Sequence, residues 1–219
     1  MTTMARSLVG DRPETTRKPP LESGDRLTSA EFERRYRLHP EIKRAELIEG
    51  VVHVASPMHH DHHGAPQRIV STWLGVYQSR NPDVDGGDGS TTRLDPDNNV
   101  QPDAFLRYRV GRSRITEDDY VEGAPELVFE IAASSAAVDL GPKLRSYRRN
   151  GVQEYVVWQL YENKLSWFAL EDGEYVELKP DRRGVISSVV FPGLRLDVAA
   201  LLARDIPGVL AAQNRKARR

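Results

Sequence analysis

The chain contains no cysteine. That excludes disulfides and thiolate metal sites, and it fits a reducing cytoplasm. Nor does any stretch approach the ~18 apolar residues of a membrane span, so no membrane partner is expected. Charge of one sign is missing as well. The 31 Lys and Arg residues against 32 Asp and Glu leave a formal net charge of -1. No global basic field draws the protein onto nucleic acid, which argues against a non-specific coating protein and leaves only local patches for such contacts.

What is present suffices for one ordinary globular domain. The chain has 219 residues, 39% hydrophobic and 29% charged, enough for a single core. Residues 1–25 carry charges and prolines without an apolar signal core and read as a flexible leader. Residues 26–205 read as the domain, and residues 206–219 as a C-terminal segment with a basic tail from Arg215 to Arg219.

Local signals divide the domain into elements. Thr28 and Glu31 form a capping-box pair for a short helix that ends before Pro40. Ala45 to Ala55 reads as a hairpin over Glu49-Gly50. Ile69, Val70, Trp73, Leu74, Val76 and Tyr77 lie at helical spacing, with Pro66 in the first turn and Asn81-Pro82 as the stop. Asp83 to Ser90 reads as a glycine-rich loop. Thr91 to Leu94 and Val100 to Tyr108 read as strands around a turn at Asp95 to Asn99. Glu126 to Ala132 is a nearly continuous apolar run, the pattern of a strand covered on both faces. Asp139 to Asn150 reads as a helix capped by Asp139 and closed at Gly151. A strand follows from Val152 to Leu160, then a hairpin over Asp172-Gly173, a strand from Val185 to Phe191, and a short helix capped by Asp197. The central order is helix, strand, strand, strand, helix, strand, which predicts an α/β sandwich.

Three residues in that order carry chemistry. Alternation along the Glu126–Ala132 run places Leu127, Phe129 and Ile131 on one face and Val128, Glu130 and Ala132 on the other. Glu130 is therefore an isolated carboxylate among small apolar neighbours. Burying it unpaired costs several kcal/mol, so it requires a proton, a partner or a cation. Asp103 follows Pro102, a residue that a central ladder excludes. If its strand neighbours that of Glu130, the two carboxylates converge. Hard oxygen ligands of this kind suit Mg²⁺ or Mn²⁺ better than zinc. At about 100° per residue, Lys143 falls on the flank of the inward stripe formed by Leu140, Leu144 and Tyr147, whereas Arg145 and Arg149 face away. The same residues also fit a turn acid at Asp103 and a structural Glu130–Lys143 ion pair.

Pro102-Asp103, Glu130 and Lys143 together resemble the PD-(D/E)XK nuclease superfamily. The segments Ala45 to Gly50, Pro125 to Glu130 and Asp139 to Tyr155 resemble one bacterial branch, the Uma-type family of restriction-endonuclease-like proteins, over residues 28 to 203. The resemblance implies a restriction endonuclease-like core with an N-terminal helix and hairpin and a C-terminal β-hairpin added. It also implies a divalent metal and hydrolysis of phosphodiester bonds in DNA. Carried over by position, Asp103 and Glu130 are the metal carboxylates and Lys143 the catalytic lysine. Glu46 matches a glutamate recurring ahead of the core, and His63 a histidine near the helix start. Ala132 stands where the superfamily's lysine usually lies, so Lys143 must act from the helix.

Other signals have two readings each. His59-His60-Asp61-His62-His63 fits a zinc clamp through His59 and His63, or a polar loop entering the long helix. Arg107, Arg109, Arg112, Arg114, Arg145, Arg148 and Arg149 fit phosphate contacts or ordinary solvated faces. Trp73 reads as core, and Trp158 and Trp167 as core or interface. The function expected is metal-dependent DNA cleavage. The alternatives are a nuclease-fold protein that binds nucleic acid or a protein without cutting, and a histidine-based metal module. Cutting both strands of a duplex favours a homodimer.

Overall fold

The two glycine turns marked in the sequence close two tight hairpins. Glu49 and Gly50 have φ of 50° and 74°, and Asp172 and Gly173 have 48° and 84°. Two successive positive φ values make the type I′ turn, whose twist matches that of the flanking strands. The computed structural model describes residues 18–55 and 60–214.

Helix α1 spans Ser29–Leu38, and the Thr28 side chain accepts the Glu31 N–H at its start. Strands β1 (Ala45–Ile48) and β2 (Val51–Val54) make the first hairpin, and helix α2 spans Ala65–Gln78. Seven strands follow: β3 (Val84–Gly87), β4 (Thr92–Asp95), β5 (Asn98–Val100), β6 (Ala104–Tyr108), β7 (Arg114–Ile115), β8 (Val121–Glu122) and β9 (Leu127–Ala132). Helices α3 (Ala136–Val138) and α4 (Leu144–Arg149) are joined by a π-helical turn over Asp139–Lys143. The chain continues through β10 (Glu154–Gln159), β11 (Lys164–Glu171), β12 (Glu174–Glu177), β13 (Val185–Ser187) and β14 (Arg195–Asp197) to α5 (Val198–Leu202) and α6 (Ile206–Asn214). Among the described residues, no helix is long and apolar enough to cross a membrane.

The main sheet has the order β12-β11-β10-β9-β6-β3, with β9 and β10 parallel and the other pairs antiparallel. A second sheet has the order β2-β1-β5-β4-β8-β7. Central strands β9 and β10 are buried at every position, as a continuous apolar run requires. One face of the main sheet packs Leu127, Phe129 and Ile131 against α2, α6 and the β13–β14 pair, with Trp73, Trp167, Phe191 and Val209 at the centre. The other face packs Val128, Ala132, Tyr155 and Val157 against Tyr147 of α4 and Ile48 and Val100 of the second sheet.

The helix, three strands, helix and strand expected from sequence are present, but their membership differs. Asp83 to Ser90 is not all loop, because Val84–Gly87 forms edge strand β3 beside β6. A Cβ on Gly86 would lie 2.7 Å from the Phe105 carbonyl oxygen. This glycine therefore permits close strand packing rather than a flexible turn. Thr92–Asp95 belongs to the second sheet. The run from Val100 to Tyr108 is two strands, since β5 lies in the second sheet and β6 in the main one. The break falls at Gln101-Pro102-Asp103, where proline has no N–H to continue a ladder.

The helix after β9 starts at Ala136, three residues before Asp139, so Asp139 is not its cap. Pro142 sits inside the π-helical turn, where its missing N–H and bulky ring fit a widened turn better than a regular one. The histidine segment is likewise a π-helical turn, His60–Gly64, leading into α2 rather than a loop; His59 lies outside the described residues. Val185 to Phe191 contributes only the three-residue strand β13. Residues 206–214 form helix α6, which buries Val209 and Ala212 against the domain. The end of the leader is anchored too: Leu21 is buried and the Gly24 N–H reaches the Val52 carbonyl. The basic tail lies outside the described residues.

Candidate active site

The sheet-to-sheet crossing at Pro102 aims Asp103 at β9. Ala104 pairs with Phe129, and Asp103, one residue earlier, lies just beyond that ladder. Its Oδ2 accepts the Ile131 N–H at 2.7 Å. Its Oδ1 lies 2.9 Å from Arg44 Nη1 and 3.3 Å from His63 Nε2. Gln67 of α2 donates to the Asp103 carbonyl at 2.6 Å. Asp103 is thus held by both sheets and by the turn that enters α2.

Glu130 projects from the next strand toward the helix. Its Oε1 lies 2.9 Å from Lys143 Nζ and accepts the Tyr147 hydroxyl at 2.8 Å; Oε2 takes part in neither contact. Lys143 reaches it from the π-helical turn and is only 3% exposed. The same ammonium is 3.0 Å from Glu46 Oε1 and 3.6 Å from Asp139 Oδ1. Glu46 points into the cleft because β1 alternates: Ala45 and Leu47 enter a small core with Phe32, while Glu46 and Ile48 face the other way. Its Oε1 also accepts the Gln101 N–H at 2.7 Å. Ser135 Oγ donates to Asp139 Oδ2 at 2.6 Å.

The acidic and basic side chains among these line one cleft of about 520 Å³, walled by β1, β2, the His60–Gly64 turn, the end of β9 and the π-helical turn before α4. Glu46, His63, Asp103, Glu130 and Lys143, named from sequence, all line it. Arg44, Asp139 and Tyr147 were missed as polar partners. The signals were available. Arg44 is two residues before Glu46, hence on the same strand face. Asp139 and Tyr147 are four residues before and after Lys143, hence on its helical face. His63 turns to Asp103, and among the described residues no group of three or more His, Cys, Asp or Glu could hold a metal ion by itself.

The environment separates the two carboxylates of the metal hypothesis. Burial pushes Asp103 upward, but the His63 hydrogen bond and the Arg44 charge outweigh it and hold the carboxyl well below its usual range. Burial raises Glu130 above the carboxylate range; Lys143 opposes the shift and the Asp103 charge adds to it. Burial would lower Lys143, yet the charges of Glu130, Glu46 and Asp139 raise it, so the ammonium stays charged. Burial also raises Asp139. Four carboxylates, Glu46, Asp103, Glu130 and Asp139, surround two obligate cations, Arg44 and Lys143. Carboxylates outnumber these cations in the cleft, and hard oxygen ligands of this kind could hold a divalent cation.

Of the arginines that fit either phosphate contacts or solvated faces, Arg107, Arg145, Arg148 and Arg149 pair with acidic side chains outside the cleft. Arg107 is buried against Asp85 and Ser113. Arg145 pairs with Glu49, Arg148 with Glu174 and Arg149 with Asp95. Trp73, Trp158 and Trp167 are all core residues.

Clustered carboxylates and one buried lysine thus lie at the rim of a mixed sheet flanked by helices, and that fold is nuclease-like. Residues 29–199 match the Uma2 family, described as putative restriction endonuclease, and the chain belongs to that family. It is similar to the crystal structure of a putative nuclease of the DUF820 group from Anabaena variabilis, with a TM-score of 0.58 at 15% identity, over 73% of this chain and 90% of that one. No curated protein matches the sequence.

Proposed function

We propose that the protein is a metal-dependent endonuclease that hydrolyses phosphodiester bonds of DNA in the cytoplasm. Membership of the family and the nuclease fold support the nuclease class. The observation that carries the reading to chemistry is the meeting of Asp103, Glu130 and Lys143 in one cleft, with Lys143 Nζ 2.9 Å from Glu130.

In this reading Asp103 and Glu130 would hold Mg²⁺ or Mn²⁺, ions that suit hard carboxylate ligands and a site without thiolates. When bound, the ion supplies Lewis-acid polarisation of the phosphate and acidification of water. The protein supplies the rest. Glu46 and Asp139 fix the Lys143 ammonium in place and keep it charged. Lys143 then orients the attacking water and offsets charge gathering on the phosphate. Tyr147 holds the Glu130 carboxylate against rotation. A homodimer would present two such clefts to the two strands of a duplex.

Nicking of supercoiled plasmid in Mn²⁺ tests the reading. Wild type is expected to nick, and Asp103→Ala and Lys143→Ala to lose activity. Unchanged nicking by Asp103→Ala, in preparations cleared of contaminating nuclease, would overturn the assignment. A folded wild type with no cleavage of any DNA offered would favour a binding protein that retains the nuclease fold.

A further inference from the structure

The two cations of the cleft are held very differently. Lys143 is enclosed by Glu46, Glu130 and Asp139 and is 3% exposed. Each of those carboxylates has one further, neutral hydrogen-bond partner: Gln101 N–H for Glu46, the Tyr147 hydroxyl for Glu130 and the Ser135 hydroxyl for Asp139. Arg44 stands at the rim just before β1, and its side chain is 23% exposed. Its backbone carbonyl is tied by the Ala55 N–H, so the main chain is anchored while the side chain reaches into the cleft. One guanidinium nitrogen binds Asp103 Oδ1 at 2.9 Å and another binds the Gln101 carbonyl.

Asp103 has little capacity to spare. Oδ2 is committed to the Ile131 N–H, and Oδ1 is shared by Arg44 and His63. A divalent cation that uses Asp103 must therefore approach a carboxylate already neutralised by a guanidinium. Arginine cannot relieve the conflict by losing its proton. It can relieve it only by moving, and the exposed edge of its side chain leaves room to do so. The conflict at Glu130 is milder, because Lys143 and Tyr147 both bind its Oε1 and two further carboxylates share the ammonium.

We infer that Arg44 competes with a divalent cation for the Asp103 carboxylate and so sets the metal affinity of the cleft. This rests on the metal reading above, and it concerns binding rather than turnover. Arg44 is then a positioning residue acting through Asp103. The competition is electrostatic at short range, where two like charges a few ångströms apart repel strongly.

Calorimetric titration of Mn²⁺ into the full chain tests this with wild type, Arg44→Met and Asp103→Asn, folding being checked by circular dichroism. Removing the guanidinium should tighten Mn²⁺ binding by about tenfold or more, the scale of a single close charge in a partly wet site. Asp103→Asn should lose the binding. A purely structural role for Arg44 predicts the reverse, since releasing Asp103 would disorder a ligand and weaken affinity. If wild type binds Mn²⁺ through Asp103 and Arg44→Met binds equally or more weakly, the competition is refuted while the metal reading stands. If no protein binds Mn²⁺ at millimolar concentration, both fail. A second measurement covers an Arg44→Met that does not fold. In wild type, the Arg44 side-chain N–H resonance, assigned through Arg44→Lys, should shift as Mg²⁺ is added. Mg²⁺ binding without that shift would overturn the inference.

Discussion

Strand β9 has two faces made by the same backbone, and Phe129 on one and Glu130 on the other are held by opposite principles. Leu127, Phe129 and Ile131 enter a dry aromatic core in which Phe129 meets Trp73 edge-on at 6.2 Å and Trp73 meets Trp167 at 6.0 Å. One residue away, Glu130 is 2% exposed and surrounded by a lysine, a tyrosine and further carboxylates. The first face gains stability from area removed from water. The second is equally buried, but burying Glu130 there costs free energy that only a complete network offsets. The comparison teaches that burial alone does not separate scaffold from site. What separates them is whether each buried group is satisfied by packing or by charge.

Substitutions can break this contrast. The largest effect on stability is expected from Phe129→Ala, about 3–5 kcal/mol by urea denaturation, the usual cost of deleting an aromatic ring from a packed core. Lys143→Met should be comparable, about 3–5 kcal/mol, because it leaves buried carboxylates uncompensated. It should also reduce nicking by about 10²–10³-fold, the scale of losing one electrostatic group from an active site. If the charged face behaves as argued, Glu130→Gln combined with Lys143→Met should recover much of the stability lost in Lys143→Met while remaining inactive. A double variant no more stable than the single one would mean that the ion pair is not the source of the penalty. Tyr147→Phe should have the smallest effect, about 1.5–3 kcal/mol for a single hydrogen bond to a carboxylate. Its melting temperature would fall, and a fall as large as that of Phe129→Ala would show that the hydroxyl does more than hold Glu130.

Much of this was legible in the chain. The Glu126–Ala132 run announced a central strand, and its period of two separated Glu130 from Phe129. Helical angle predicts an inward Lys143, and the lysine does reach Glu130 at 2.9 Å, though from a π-helical turn rather than from the regular helix that the angle assumes. Paired turn residues located both hairpins. Less legible were features that depend on distant partners. The glycines before Ser90 read as a loop because the sequence does not reveal that Phe105 would lie against Gly86. Asp139 read as a cap because its position suits one, yet its carboxylate serves Lys143 and Ser135. The arginines kept two readings, phosphate contacts or solvated faces, because Glu49, Asp95 and Glu174 are remote in sequence from the residues they neutralise.

The sequence by itself determined the periods, the turns and the kinds of residue: a central apolar strand with one carboxylate, an inward lysine, and a proline that ends one ladder before an aspartate. These are local consequences of backbone geometry. Only the tertiary structure decided that the proline marks a crossing between two sheets, that Arg44 shares Asp103 with His63, and that Lys143 answers to three carboxylates at once. Charges couple through space rather than along the chain, so the balance of the cleft exists only once the two sheets and the helix close around it.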